Sequence, residues 1–173
     1  MKNIAVIIAN GTEEIECLTP VDVLRRTGAN VHLISVSGEY PTCSHGVTIK
    51  ADKLASEVDF SIYNAIVVPG GMPGATNISQ DEKVVNGLKA FAKQGKLIAS
   101  ICASPAVVLA KHNLIGNKKA TCYPAQEFID ALGENYTGAN VQVDENLITA
   151  NGPKSAMEFS LAICKSLELT PKF

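Results

Sequence analysis

The sequence predicts an α/β sandwich, a mostly parallel sheet with helices on both faces, in a single domain spanning residues 1–173. Three observations predict it. Short runs rich in Val, Ile and Ala at 2–9, 30–36, 65–68 and 97–101 read as strands buried on both faces. Segments of helical periodicity alternate with those runs. The connections are short, and strands joined by crossover helices lie parallel to one another.

Each element has its local reason. Residues 2–9 form the first strand and end at the Asn10-Gly11 turn; the apolar stretch is too short for the core of a signal peptide. Thr19-Pro20-Val21-Asp22 offers a hydroxyl N-cap, a proline at the first helical position and an acid in the first turn. A helix is expected from there to Thr27, stopped by Gly28. Residues 30–36 are the second strand, 37–46 a loop and 47–50 a short edge strand. The third buried strand, 65–68, ends in Pro69-Gly70-Gly71. In 81–94, Val84, Val85, Leu88 and Phe91 recur at amphipathic helical spacing, and Gly95 ends the helix. Residues 97–101 are a strand that passes through Ser104-Pro105 into a helix over 103–112. The rest reads as a short strand at 119–121, a helix over 125–132, a hairpin of 141–143 with 147–150, and a last helix over 155–167.

Composition removes whole classes of function. With 46% apolar and 18% charged residues, the chain has enough apolar surface to offset the entropy of folding, so it is not disordered. Its 15 basic and 17 acidic residues give no electrostatic case for binding nucleic acid. No apolar run is long enough to span a bilayer. The cysteines, at 17, 43, 102, 122 and 164, are odd in number and lack C-x-x-C spacing. That pattern favours reduced thiols in a cytoplasmic protein over paired disulfides or a metal site.

Binding sites in parallel sheets lie at the carboxyl ends of strands, and three such ends carry unusual residues. Asn10-Gly11-Thr12-Glu13-Glu14-Ile15-Glu16 follows the first strand, Pro69-Gly70-Gly71-Met72-Pro73-Gly74 the third, and Cys102-Ala103-Ser104-Pro105 the strand at 97–101. A side chain at a sharp strand-to-helix turn projects from the sheet edge, so Cys102 has the setting of a nucleophile elbow with Cys in place of Ser. The start of the following helix is expected to lower its thiol pKa. The alternative is a small hydrophobe that ends a core strand. Gly70 and Gly71 either direct N–H groups at an oxyanion or serve a tight turn. One of Glu13, Glu14 and Glu16, if beside the thiolate, would act as acid/base. A Cys-His hydrolase needs an imidazole at the sulfur. His32 lies within a strand and His112 at a helix end, which leaves only the loop residue His45. Cys164, near Phe159 and Ile163 on the last helix, reads as core, while Cys17, Cys43 and Cys122 fit packing better than catalysis.

Glu13-Glu14-Ile15-Glu16, Pro20-Val21-Asp22-Val23-Leu24-Arg25-Arg26, Cys43-Ser44, Val68-Pro69-Gly70-Gly71, Ala99-Ser100-Ile101-Cys102-Ala103-Ser104-Pro105 and Asn151-Gly152-Pro153 occur in this order. Together they resemble the ThiJ/PfpI superfamily, in the branch of the Parkinson-associated protein deglycase, over nearly the whole chain. The resemblance implies a flavodoxin-like fold, a homodimer, no cofactor and no metal. It further implies a nucleophilic, oxidation-sensitive Cys102 hydrogen-bonded to Glu16, with Gly71 and Ala103 N–H groups forming an oxyanion pocket next to Gly70. The activities it implies are conversion of methylglyoxal or glyoxal to the hydroxy acid, removal of their early adducts from proteins and nucleotides, redox sensing and chaperone action.

Three departures from the family pattern bear on mechanism. Tyr123 stands before Pro124 where some members carry His, so a proton relay there would fall to a phenol. His45 replaces an Arg that follows Cys-Ser in close relatives, which alters dimer or substrate contacts. The chain ends at Phe173 soon after its last helix, so a more open site is expected. Ala103 stands where the protease branch places His after its cysteine, which argues against a cysteine peptidase.

Overall fold

The computed structural model describes all 173 residues. Its strands are β1 (Asn3–Ile8), β2 (Asn30–Ser35), β3 (Lys53–Leu54), β4 (Ala65–Val68), β5 (Leu97–Ile101), β6 (Val141–Asp144) and β7 (Leu147–Ala150). They form one sheet in the order β3-β2-β1-β4-β5-β7-β6, parallel throughout except that β6 pairs antiparallel with β7. The helices are α1 (Glu14–Arg25), α2 (Gly74–Ser79), α3 (Glu82–Gln94), α4 (Gln126–Leu132) and α5 (Ala156–Ser166), with a wide helical segment at Pro105–Ala110.

The apolar strands build two cores because successive side chains leave opposite faces. In β1, Ala5 and Ile7 enter one core with α2, α3 and the wide segment, while Ile4, Val6 and Ile8 enter the other with α1 and α5. The cores hold 25 and 24 buried residues, so both faces are covered almost equally, as the sequence predicts. Chain order reverses across β1, which has β2 on one side and β4 on the other. That switch point places the carboxyl ends of β1, β4 and β5 side by side.

Several boundaries differ from the sequence reading. Helix α1 begins at Glu14, not after Thr19: Glu13 is the N-cap, its carboxylate accepting the Glu16 N–H at 2.9 Å. Pro20 therefore lies inside the helix and gives the Glu16 carbonyl no N–H. Residues 47–50 do not join the sheet. Their N–H and C=O groups bond back to the preceding loop, with Cys43 N–H to Val47 C=O at 2.8 Å and Ile49 N–H to Pro41 C=O at 3.0 Å. The edge strand is the later β3. At 119–121 only Ala120 bridges, to Tyr136. The helix expected over 103–112 is confined to Pro105–Ala110 and is wound wide, with the Lys111 N–H bonded to the Ala106 carbonyl. Helix α2, built of Gly, Ala, Thr, Asn, Ile and Ser, has no strong helix-forming signal beyond its alanine. It forms by packing Ala75 and Ile78 into the core shared with the wide segment, α3 and β1. The last helix and the hairpin lie within one residue or so of their expected limits.

Candidate active site

Cys102 follows β5 directly and adopts φ +67°, a left-handed backbone that side chains rarely take. Its N–H donates to the Ala150 carbonyl at 2.9 Å, and its carbonyl accepts the Tyr123 N–H at 2.8 Å. The hydroxyl of buried Ser104 donates to the Pro69 carbonyl and ties the elbow to the end of β4. Strain of this kind persists where surrounding bonds over-determine it. The thiol is half-buried.

Among the three acids, the structure selects Glu16 as the partner of the thiol. Glu16 is fully buried and lies within hydrogen-bonding reach of the Cys102 thiol. Its Oε1 accepts the Gly70 N–H at 3.0 Å, while its Oε2 is buried without a hydrogen-bond partner. Gly70 therefore positions the acid and has no N–H left for an oxyanion. Gly71 and Ala103 present theirs to the Cys102 sulfur. Gly70 also has to be glycine: a Cβ there would lie 2.6 Å from both Cys102 Cβ and Glu16 Oε1.

The electrostatics correct one expectation. Desolvation raises the Glu16 pKa to about 7; the nearness of the Cys102 thiol and the bond from the Gly70 N–H oppose the rise, and the Glu13 carboxylate adds to it. The Cys102 thiol is pushed up, not down, first by burial and then by the Glu16 charge. The Ala103 and Gly71 N–H groups offset only part of this. Ala103, just after the elbow, and Gly71, in the loop after β4, each supply one N–H group, and together they do not outweigh burial and the Glu16 carboxylate.

His45 and Tyr123 keep different neighbours. The His45 Nδ1 is 3.3 Å from Glu14 Oε1 and 3.7 Å from Glu13 Oε1, and its ring is largely exposed and not bonded to Cys102. Glu13, Glu14 and His45 form a group whose donor atoms lie within 4.8 Å of one another. The Glu14 oxygens, however, already accept the N–H groups of His45 and Val47 and the Ser44 hydroxyl, the bonding of a loop clamp. His32 bonds the Tyr63 hydroxyl and His112 bonds Ser79, so none of the three imidazoles is hydrogen-bonded to Cys102. Tyr123 is half-exposed and lines a cavity of about 540 Å³ with Asn140, Asn151, Gly152, Lys154 and Glu158. Asn140, Lys154 and Glu158 were not legible in the sequence as site residues. The only signal was Asn151-Gly152-Pro153 at the end of β7, a fourth strand end beside β5.

A parallel sheet with this strand order and a cysteine elbow over a buried acid defines a class: α/β proteins built around a thiol at the switch-point edge. Residues 2–166 match the DJ-1/PfpI family, and the chain belongs to that family. It is 41% identical over 161 residues to Protein DJ-1 homolog B of Arabidopsis thaliana, covering 92% of this chain and 36% of that protein. The chain thus spans less than half the length of the plant relatives it matches. The glutathione-independent glyoxalase DJR-1.2 of Caenorhabditis elegans is 34% identical over 156 residues, which cover 90% of this chain and 83% of that one. Among solved structures, oxidized Toxoplasma gondii DJ-1 superposes with a TM-score of 0.93 at 42% identity, over 96% of this chain and 91% of that one. The fold is therefore the flavodoxin-like α/β sandwich of this family. No helix is long and apolar enough to cross a membrane.

Proposed function

We propose that the protein is a cysteine-dependent, cofactor-independent glyoxalase or deglycase acting on methylglyoxal, glyoxal and their early adducts. The carrying observation is the Glu16 carboxyl, fully buried with one oxygen unbonded, within hydrogen-bonding reach of Cys102. A group whose pKa is raised to about 7 can give and take protons near neutrality. The Cys102 thiolate attacks the aldehyde carbon, and the carbonyl oxygen becomes the hydroxyl of a hemithioacetal, taking its proton from Glu16. Gly71 and Ala103 N–H groups hold that oxygen as charge develops. Glu16 then removes the proton on the former aldehyde carbon, a proton returns to the neighbouring carbon, and the hemithioacetal hydroxyl proton passes to that carbon's oxygen as the former aldehyde carbon becomes the thioester carbonyl. The resulting thioester is hydrolysed by water to the hydroxy acid and free thiol. In adduct repair the hemithioacetal instead forms as the amine leaves.

The family's C. elegans glyoxalase supports the reaction class. Tyr123, whose N–H bonds the Cys102 carbonyl, lines a cavity of about 540 Å³ that does not include Cys102 or Glu16; in this reading it takes the part of an adduct beyond the reacting carbon. In this reading Tyr123 replaces an imidazole relay, and the partner of catalysis is a small aldehyde or a glycated protein or nucleotide. A cytoplasmic homodimer belongs to the same proposal; Ile15 and Leu18 on α1 leave apolar surface for a second copy. The test is methylglyoxal consumption without glutathione, with buffer catalysis subtracted, by wild type, Cys102→Ala and Glu16→Gln. Loss in both variants is the expected result; full activity in Cys102→Ala sinks the proposal. Sedimentation as a monomer at assay concentration would remove the dimer.

A second reading, a peroxide sensor or stress chaperone, is favoured by the same half-buried thiol. Two peroxide equivalents convert it to sulfinic acid with release of two waters, and neutral Glu16 would donate to a sulfinate oxygen. Selective gain of two oxygens at Cys102 under mild peroxide supports this reading, and random oxidation removes it. A peptidase is disfavoured by the absence of any imidazole at the sulfur.

A further inference from the structure

Two thiols that the proposed reaction does not use meet on the α1/α5 face of the sheet. Cys17 is fully buried, Cys43 is 4% exposed, and both belong to the same core cluster. Backbone bonds seat residues 42–44 against residues 11 and 12, just ahead of Cys17, so that each thiol perturbs the other, and the Cys17 thiol donates to the Glu14 carbonyl at 3.5 Å.

The contact is held from both sides. Cys17 is fixed by α1. The loop carrying Cys43 is fastened to the start of that helix by Gly11 N–H to Thr42 C=O and Ser44 N–H to Thr12 C=O, both 2.9 Å. The Glu14 carboxylate adds bonds from His45 N–H at 2.9 Å and Val47 N–H at 3.2 Å. Residues 44–48 around Cys43 are exposed, so a small oxidant needs only a local opening of this loop to reach its sulfur.

We infer that Cys17 and Cys43 form a redox-active dithiol that closes to a disulfide in the presence of a hydroperoxide, cross-linking the 42–48 loop to α1 independently of Cys102. Cys43 is the attacking sulfur. The neighbouring Cys17 thiol favours the Cys43 thiolate and lowers the Cys43 pKa, against burial and the Glu14 and Glu13 charges, while the pairing raises Cys17. The Cys43 sulfur takes one peroxide oxygen to become a sulfenic acid, and the other oxygen leaves as water. The Cys17 sulfur then displaces hydroxide from that sulfenic sulfur, and the Cys17 proton converts it to a second water. One hydroperoxide is reduced and two thiols are oxidised.

The experiment uses hydrogen peroxide on the full chain and on Cys102→Ala, followed by alkylation under denaturing conditions and non-reducing tryptic digestion. Cleavage gives peptide 3–25, whose only cysteine is Cys17, and peptide 27–50, whose only cysteine is Cys43. The expected result is one cross-linked species of these two peptides in both proteins, absent in Cys43→Ser and reversed by dithiothreitol. In Cys102→Ala the cross-link raises Tm by roughly 5–10 °C, because it constrains the unfolded chain, while the Tm of the Cys43→Ser/Cys102→Ala double variant does not respond to peroxide. If both thiols are recovered alkylated at a dose that fully oxidises Cys102 in the wild type, or if either is found linked to Cys102, the inference is overturned.

Discussion

Glu16 and Gly70 are joined by one hydrogen bond, 3.0 Å from the glycine N–H to Oε1, and this bond sets the reach of the acid toward Cys102. Gly70 lies so close to both partners that its missing side chain is the space in which acid and thiol meet. An added Cβ would also stand 2.9 Å from the Ile101 carbonyl, part of the backbone that leads into the elbow.

Gly70→Ala is therefore expected to lower methylglyoxal turnover by about 100-fold or more, the usual result of displacing reacting groups by an ångström. It should also destabilise the fold by about 1–3 kcal/mol through overpacking. Gly38→Ala is the control. Gly38 has φ +85° and nothing within 4 Å of an added Cβ, so it should cost stability, about 1–2 kcal/mol, without touching turnover. Equal activity losses in the two variants would refute the spacing argument.

The pH dependence of Cys102 follows from the pair as a unit. Below about pH 7 both Glu16 and Cys102 hold their protons, and no thiolate is present. When one proton leaves, the remaining proton can rest on the carboxyl, with the charge on sulfur. Alkylation of Cys102 by iodoacetamide should then rise with pH through a midpoint near 7. In Glu16→Gln the only proton left to lose is on a buried thiol, so the midpoint should move above the ordinary cysteine value of about 8.5. An unchanged profile in Glu16→Gln would show that the acid does not control the sulfur.

How much of this was written in the sequence depends on the range of the interactions. The central strands were legible because each is an unbroken apolar run, and Cys102 because an elbow is a local pattern. The start of α1 was not, since a glutamate N-cap competed with the stronger local signal of Thr19-Pro20. Helix α2 and the two-residue β3 have little propensity of their own and depend on packing and on Asp52, whose carboxylate takes the Leu33 N–H at 2.8 Å. Choosing Glu16 from three acids required its depth, and the raised thiol pKa required its distance from that acid. Both are set by β4 and β5, far along the chain. The cavity of Asn140, Lys154 and Glu158 joins β6, β7 and α5 and leaves no local motif.

Stability should carry the cost of the site. A carboxyl whose pKa rises from 4.5 to about 7 on folding binds more protons in the native state than in the unfolded one. Its contribution is complete below pH 4.5 and is lost as pH rises through about 7, a change of about 3 kcal/mol at 1.36 kcal/mol per unit. Glu16→Gln, which cannot ionise and retains an oxygen for Gly70, should gain that amount relative to wild type between pH 4.5 and pH 8. Urea unfolding of both proteins at the two pH values measures it; parallel pH dependence would exclude a raised Glu16.

The clamp formed by Glu14 separates loop integrity from proton relay. Burial opposes the Glu14 charge, yet N–H donors from its own backbone, Val47 and His45 hold the carboxyl below its ordinary pKa. Glu14→Ala leaves those loop N–H groups unbonded and should destabilise the protein by about 1–3 kcal/mol. Because a lowered pKa contributes stability above 4.5 that fades on acidification, the gap between wild type and variant should narrow at low pH. His45→Ala keeps both backbone bonds and removes only an imidazole that is 74% exposed, an interaction of about 0–1 kcal/mol. Its turnover should stay within about twofold of wild type, since the His45 ring is bonded to Glu14 and Ser44 and not to Cys102. A tenfold loss in His45→Ala with an unchanged melting temperature would instead place that ring in the proton path.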